Sequence, residues 1–231
     1  MSKKKILRIS LNLGLVAAVA LLAWIFGPSL FMEAQYQKQV QQQKSGEPTI
    51  GFGALMYTMP EVTGTVQPGF ADMLDIKTGS TIVPISTEFG IVIPKIFANV
   101  AITENVNPAE KAVYQQVLRE AGGVAHAAGS AVPGEPGTVY IFGHSTDATI
   151  NVERYNAVFY LLRKLEPGDE IIVYYQGQPF KYLVSEKKTV NPDDISDIVN
   201  IENEERLVLQ TCWPPGTTWK RLLIIARLWK E

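Results

Sequence analysis

The order of apolar and polar residues divides the chain into an apolar N-terminal run, a polar stretch and a β-rich remainder. From Ile9 to Met32 no residue is charged, and about 20 residues suffice for a helix to cross a bilayer core. The residues before this run include four basic and no acidic ones, which favours a cytoplasmic N-terminus. We therefore predict that residues 1–32 are a basic tip and a single-pass transmembrane anchor, with the rest of the chain extracellular.

A cleaved signal peptide is the alternative interpretation of this run. Its apolar region would span about 7–15 residues and end at a small-residue cleavage site. The run here is longer, and Phe31-Met32-Glu33-Ala34 is a poor cleavage site. The sequence favours an uncleaved anchor at the cell membrane.

The remainder divides into an N-terminal extension and a part with many short apolar runs. Residues 33–80 begin Gln-rich and continue rich in Gly, Thr and Pro, and are predicted to be a polar stalk and extension. Residues 81–231 alternate short apolar runs with turn signals, which predicts strands. The predicted strands are 81–85, 90–96, 138–142, 170–175, 179–184, 207–211 and 221–228.

Two helices and one acidic segment separate these strands. A helix over 107–121 begins at Asn107-Pro108 and ends at Gly122-Gly123, and a second covers 152–165. Residues 186–206 are predicted to be an acidic loop or a short helix. Many short strands, two short helices and no βαβ alternation indicate a mainly β chain that forms a closed or nearly closed barrel.

Charge and cysteine content limit the possible functions. The chain has a formal net charge of −2, and it becomes more acidic without its basic N-terminus, which argues against a nucleic-acid partner. Its single cysteine, Cys212, cannot form an internal disulfide. In an exported protein a lone thiol is a reactive group or a site of intermolecular pairing, although a buried, inert cysteine is also common.

Three polar residues at strand ends suggest acyl-transfer chemistry: His144, Cys212 and Arg221. A free thiol has a pKa near 8.5, so a nucleophilic cysteine requires a neighbouring base or cation. His144 can exchange protons with the leaving and attacking groups, and Arg221 can stabilise an oxyanion. The backbone N–H of Trp213 is a second possible oxyanion donor. Each residue alone has a simpler explanation. Arg221, for example, could instead pair with Glu204 or Glu205.

These segments resemble the sortases, membrane-anchored transpeptidases of the bacterial cell envelope. Leu207-Val208-Leu209-Gln210-Thr211-Cys212 resembles their Leu-x-Thr-Cys signature, and Gly143-His144-Ser145 resembles their histidine segment. Lys220 to Ile225 resembles their arginine strand. The resemblance covers roughly residues 80–228, and the order of the three residues makes it specific.

The resemblance implies an eight-stranded sortase-like β-barrel with short helices and a reaction without a cofactor. Cys212 would attack the Thr–Gly bond of a Leu-Pro-x-Thr-Gly-like sorting signal, and an envelope amine would resolve the thioacyl enzyme. Partners would be surface proteins with C-terminal sorting signals. Ser145, Thr211 and Trp213 are expected to bind substrate, and the 186–206 loop to shape the groove.

Two alternatives remain from the sequence. The same residues would serve an endopeptidase that ends in hydrolysis, and a non-catalytic peptide-binding module would need no thiol. The absence of a lid motif and of a second apolar segment disfavours the pilus-polymerising subclass. Some sortases bind calcium, but acidic residues between 186 and 205 lack EF-hand spacing and are typical of a solvated face.

Overall fold

The computed structural model describes residues 3–45, 82–110, 116–118, 123–145, 157–199, 204–215 and 217–230. A long helix, α1 (Lys3–Ser45), precedes a strand-rich body. Its strands are β1 (Phe89–Ile93), β2 (Ala98–Ala101), β3 (Thr103–Val106), β4 (Val124–Ala127), β5 (Gly137–Gly143), β6 (Glu170–Tyr175), β7 (Gln178–Val190), β8 (Glu205–Trp213) and β9 (Lys220–Leu228). Short helical segments are two 3-10 helices, Pro94–Ile96 and Ala157–Lys164, and α2 (Ser196–Val199).

The described strands form one sheet that closes into a barrel. The strand order is β2-β1-β6-β7-β9-β8-β5-β4-β3. The two end strands, β2 and β3, are separated in the chain by Ile102 alone, whose N–H donates to Phe89 O at 3.0 Å. A single bent segment therefore joins both ends of the sheet. Counted as one strand, β2 and β3 make eight strands, the number that the resemblance implies.

Side-chain alternation along β5 and β8 separates the barrel interior from its outer face. Val139, Ile141, Leu207 and Leu209 belong to the main core. The intervening residues, such as Tyr140 and Phe142 on β5, pack with Leu118 and Leu223 in a second cluster. Both faces of β5 are thus covered, which explains why all of its residues are buried.

The hairpin predicted around Gln176-Gly177 is confirmed. Tyr175 of β6 pairs with Gln178 of β7, and both turn residues have positive φ, 49° for Gln176 and 80° for Gly177. These angles fit the two-residue turns whose twist matches antiparallel strands. The hairpin brings β7 beside β9, the strand that carries Arg221.

Residues 186–190 were wrongly predicted to lie in the acidic loop. They extend β7, which pairs with β9 after a register shift between Val184 and Glu186. Their charged side chains lack the apolar alternation that indicates a strand. Ion pairs satisfy these charges within the strand: Lys187 with Glu166 at 2.5 Å and Lys188 with Asp197 at 3.0 Å. The loop therefore begins at Asn191 and contains the short helix α2.

The predicted strand over 81–85 is also wrong for its described residues. Residues 82–85 are not in the sheet, and the side-chain amide of Asn99 replaces a strand partner. Asn99 Oδ1 accepts from Ile85 N at 2.9 Å, and its Nδ2 donates to Val83 O at 2.7 Å. The predicted strand 90–96 ends earlier, because Pro94 begins a 3-10 turn.

The two helices predicted from the sequence are described in part. Residues 157–164 form a 3-10 helix, and its Phe159 and Leu162 are buried. At the start of the other helix, Asn107 Oδ1 accepts from Ala109 N at 3.0 Å. Residues 111–115, 119–122 and 146–156 lie outside the described part of the chain.

The predicted stalk is helical over residues 33–45 and contacts the barrel. Glu33 pairs with Arg163 at 2.7 Å and Lys164 at 2.6 Å, and Tyr36 packs edge-on against Phe97. Residues 46–81 lie outside the described residues. The transmembrane helix is not confirmed: in the described residues, no helix has both the length and the apolar character that a membrane span requires.

Candidate active site

Cys212 and Arg221 face each other across the β8–β9 ladder. They are register partners, so their side chains lie on the same face of the sheet. Arg221 Nη1 lies 3.7 Å from Cys212 Sγ and also donates to the carbonyl oxygens of Thr218 and Lys220, each at 3.2 Å. The two carbonyl oxygens therefore hold the guanidinium beside the sulfur.

His144 approaches from the other side of β8. The parallel strands β5 and β8 pair Phe142 with Gln210, and His144 and Cys212 each lie two residues beyond that pair. Adjacent strands are separated by about 4.8 Å, and the alternation of β5, continued one residue past its end at Gly143, would direct His144 to the face that carries Cys212. Three neighbouring strands thus present His144, Cys212 and Arg221 in that lateral order.

Two neighbouring residues hold the strand ends together. Thr211 is buried, and its Oγ1 donates to Gly143 O at 3.0 Å, which links β8 to β5 beside the site. A Cβ on Gly143 would lie 2.7 Å from Gly123 O and 2.9 Å from the Phe159 ring. The residue before His144 must therefore be glycine for β4 and the 3-10 helix to pack this closely.

The residues predicted to bind substrate differ in their surroundings. Ser145 is 1% exposed, and its hydroxyl has no hydrogen-bond partner in the described part of the chain. Trp213 is half-buried and packs against the main core, whereas Trp219 is 73% exposed in the β8–β9 loop. Substrate contact by Ser145, Thr211 or Trp213 stays a prediction, and the buried hydroxyl of Thr211 is engaged with backbone.

Burial has the larger effect on the protonation state of the Cys212 thiol. Burial raises the pKa of the Cys212 thiol, and the positive charge of Arg221 opposes this with a smaller effect. Burial also raises the pKa of Tyr140, whose ring lies on the outer face of β5, four residues before His144. The resting site therefore holds a neutral thiol beside a neutral phenol, and the thiolate must form by proton transfer to a base.

A groove of about 790 Å³ leads away from Arg221. Its floor follows β5 from Tyr140 toward the N-terminal end of the strand, and α2 contributes one wall. Sequence reasoning missed Tyr140 as a site residue, although its even spacing from His144 along β5 would have indicated the shared face. The groove is lined by Pro108, Ala109, Ala127–Ala131, Glu135–Thr138, Tyr140, Pro192, Ile195, Ile198, Val199, Gln210 and Arg221.

The two acidic residues that could have paired with Arg221 have other partners. Glu204 lies 3.9 Å from Arg227, and Glu205 accepts from Gly134 N at 3.0 Å and from the Tyr182 hydroxyl. Within the described ranges, no three His, Cys, Asp or Glu residues cluster closely enough to hold a metal ion. The alternative pairing of Arg221 with Glu204 or Glu205 does not occur.

Comparison with known proteins supports the resemblance seen in the sequence. The sortase-domain family model matches residues 91–229. Sortase D of Bacillus subtilis is 30% identical over 138 residues, which is 58% of this chain and 60% of that protein. The chain thus matches less than two thirds of that relative's length.

Solved structures agree with the family match. A Clostridium perfringens Sortase D5 transpeptidase is 27% identical, with a TM-score of 0.50, over 65% of this chain and 83% of its own. Sortase C-1 of Actinomyces oris shares the fold at 22% identity, with a TM-score of 0.53 over 87% of this chain and 99% of its own.

Proposed function

Because this chain belongs to the sortase family, we propose that it is a membrane-anchored cysteine transpeptidase that attaches surface proteins to an envelope amine. The observation that carries the proposal is the 3.7 Å contact between Arg221 Nη1 and Cys212 Sγ, with His144 at the end of the adjacent strand. Each catalytic requirement, a thiol, a base and a fixed cation, is met by one residue.

The first half of the reaction forms a thioester. Cys212 Sγ attacks the Thr carbonyl carbon of a Leu-Pro-x-Thr-Gly-like signal as its proton passes to His144. Arg221 stabilises the negative oxygen of the tetrahedral intermediate. His144 then protonates the leaving glycine amine, and the C–N bond breaks.

The second half transfers the acyl group. His144 removes a proton from an incoming amine, which attacks the thioester carbonyl and releases the Cys212 thiolate to be reprotonated. Water competes for the same carbon, so the amine must be held close to the thioester. The exposed ring of Trp219, two residues before Arg221, is the surface that we assign to acceptor binding.

Membrane attachment rests on the surface of α1. Its apolar side chains are largely exposed, with Leu13 at 71%, Leu15 at 65% and Leu30 at 67%. A helix with exposed apolar residues around its circumference is typical of a lipid environment. We propose that this part of α1 anchors the protein, with the N-terminus cytoplasmic and the barrel extracellular.

A partition experiment tests the transpeptidase activity. The full chain is incubated with a fluorescent Leu-Pro-x-Thr-Gly-type peptide, with and without millimolar hydroxylamine or oligoglycine, and products are identified by mass spectrometry. We expect hydroxamate or amide at the expense of free acid, and no cleavage by Cys212→Ala. Free acid alone would indicate a hydrolytic endopeptidase. Absence of cleavage with retained peptide binding would indicate a binding module.

A further inference from the structure

The groove beside Arg221 has an uneven distribution of charge. Of the described residues that line it, two are charged: Arg221 at the catalytic end and Glu135 before the start of β5. Most of the others are small or apolar, including Ala127, Ala128 and Ile198. An extended peptide in this groove would therefore meet the positive charge of Arg221 near the reacting bond and a negative charge farther upstream.

Glu135 is available to a ligand. Its residue is exposed, and its carboxylate has no ion pair or hydrogen bond with any described residue. Its backbone is fixed instead, because Glu135 N donates to Val132 O at 3.1 Å and the neighbouring Gly134 N donates to Glu205 at 3.0 Å. The loop thus holds, at a defined position along the groove, a carboxylate that no described residue pairs with.

The length of β5 gives the distance between the catalytic end of the groove and Glu135, counted in residues of an extended substrate. Gly137, the first residue of β5, precedes His144 by seven positions, which is about 23 Å at roughly 3.3 Å per residue. A substrate extended along β5 advances by about the same length per residue. In the proposed complex, four residues, Leu to Thr, would occupy the part nearest Cys212, and the end near Glu135 would face the residues just before the Leu.

We infer that Glu135 selects sorting signals that carry a lysine or arginine one to three residues before the Leu. This inference rests on the proposed function and adds a subsite outside the sorting motif. The carboxylate is exposed, so the expected preference is modest: up to about fivefold for a basic over a neutral residue. It should weaken in 1 M salt, where charges are screened beyond about 3 Å.

Peptides with Lys, Gln or Glu in the three positions before the same motif test the subsite with the full chain. We expect kcat/KM to decrease in the order Lys, Gln, Glu. Glu135→Gln should remove the preference, and Glu135→Lys should reverse it. Glu166→Gln, which removes an exposed acid outside the groove, is the matched control and should retain the wild-type order.

Binding of the same peptides to full-length Cys212→Ala separates the two proposals. If peptides bind in the expected order but are not cleaved by the wild type, the subsite stands and the transpeptidase proposal fails. If they are cleaved with equal kcat/KM, or if Glu135→Gln leaves the order unchanged, the subsite is overturned, and the transpeptidase proposal is decided by the product analysis alone. Failure of every peptide to bind overturns the subsite.

Discussion

Burial and one guanidinium have opposite effects on the charge of the Cys212 thiol. Burial raises its pKa, and Arg221 lowers it by less, so the thiol is neutral at rest. Only the thiolate reacts with alkylating agents, and Cys212 is the only cysteine in the chain. The rate of alkylation against pH therefore reports this one residue.

Two substitutions of Arg221 separate its charge from its geometry. Arg221→Gln should shift the alkylation profile to higher pH, because the thiolate loses its cation. Arg221→Lys should keep the profile near that of the wild type, while peptide turnover falls about 10²–10³-fold, because an ammonium cannot reproduce the planar set of donors.

The unfolded protein in denaturant gives the reference thiol pKa for these profiles. A wild-type profile at or below that reference would contradict the dominant effect of burial. Near-normal turnover by Arg221→Lys would reduce Arg221 to an electrostatic role.

At the residue scale, the positions of Cys212, His144 and Arg221 were predictable, because each is a reactive side chain at one end of an apolar run. The structure places all three at strand ends, and their catalytic roles stay a prediction. The position of Tyr140 was not predictable, because an aromatic residue within a strand is ordinarily core. Its proximity to the site depends on the parallel pairing of β5 with β8, which connects residues about 70 positions apart in the chain.

At the level of elements, the hydroxyl of Thr211 joins the strand that carries Cys212 to the strand that leads into His144. Thr211→Val keeps the shape of the side chain but leaves the buried Gly143 carbonyl oxygen without this donor. We expect the free energy of unfolding to fall by about 1–3 kcal/mol, measured by urea denaturation. Turnover should fall as well, because the end of β5 positions His144.

Thr211→Ser is the matched control, since it retains the hydroxyl and removes only a methyl group. It should preserve more of the turnover than Thr211→Val. A valine variant with wild-type stability and turnover would show that the bond between Thr211 and Gly143 does not organise the site.

The sequence pattern correctly located strands that have one apolar face. It failed for a strand segment with charged side chains and for a segment whose backbone is bonded by a side chain. The hairpin at Gln176-Gly177 was predictable because its turn chemistry is local. The extension of β7 to Val190 was not, because its lysines are satisfied by acids that are distant in the chain or lie in α2. The segment 82–85 was mistaken for a strand because the Asn99 amide that holds it is invisible to local periodicity.

For the whole molecule, the contacts of α1 with the barrel show that the first part of the predicted stalk is packed against the barrel. A polar linker would leave the barrel free to swing, but Glu33 pairs with Arg163 and Lys164, and Tyr36 packs on Phe97. The helix end is therefore part of the folded body. Barrel closure was predictable from the many short strands, whereas this docking was not, because the 33–45 segment is polar and Gln-rich.

The stability of an N-terminally truncated protein should thus depend on how many residues of α1 are deleted. Deleting residues 1–32 keeps Glu33 and Tyr36, so this variant should be released from the membrane fraction and cleave peptide at a rate close to that of the full chain. Deleting residues 1–45 also removes the docked turns and uncovers Phe97. Each 1 kcal/mol lost should lower the melting temperature by roughly 2–4 °C in a domain of this size.

Tyr36→Ala in the shorter deletion is the matched test of the docking contact. Its melting temperature, measured by circular dichroism, should fall between those of the two deletions, because the variant loses the ring but keeps the ion pairs of Glu33. Equal melting temperatures for all three proteins would show that α1 contributes nothing to the barrel. A deletion of 1–32 that folds but cannot cleave peptide would instead place part of the active-site organisation in the anchor.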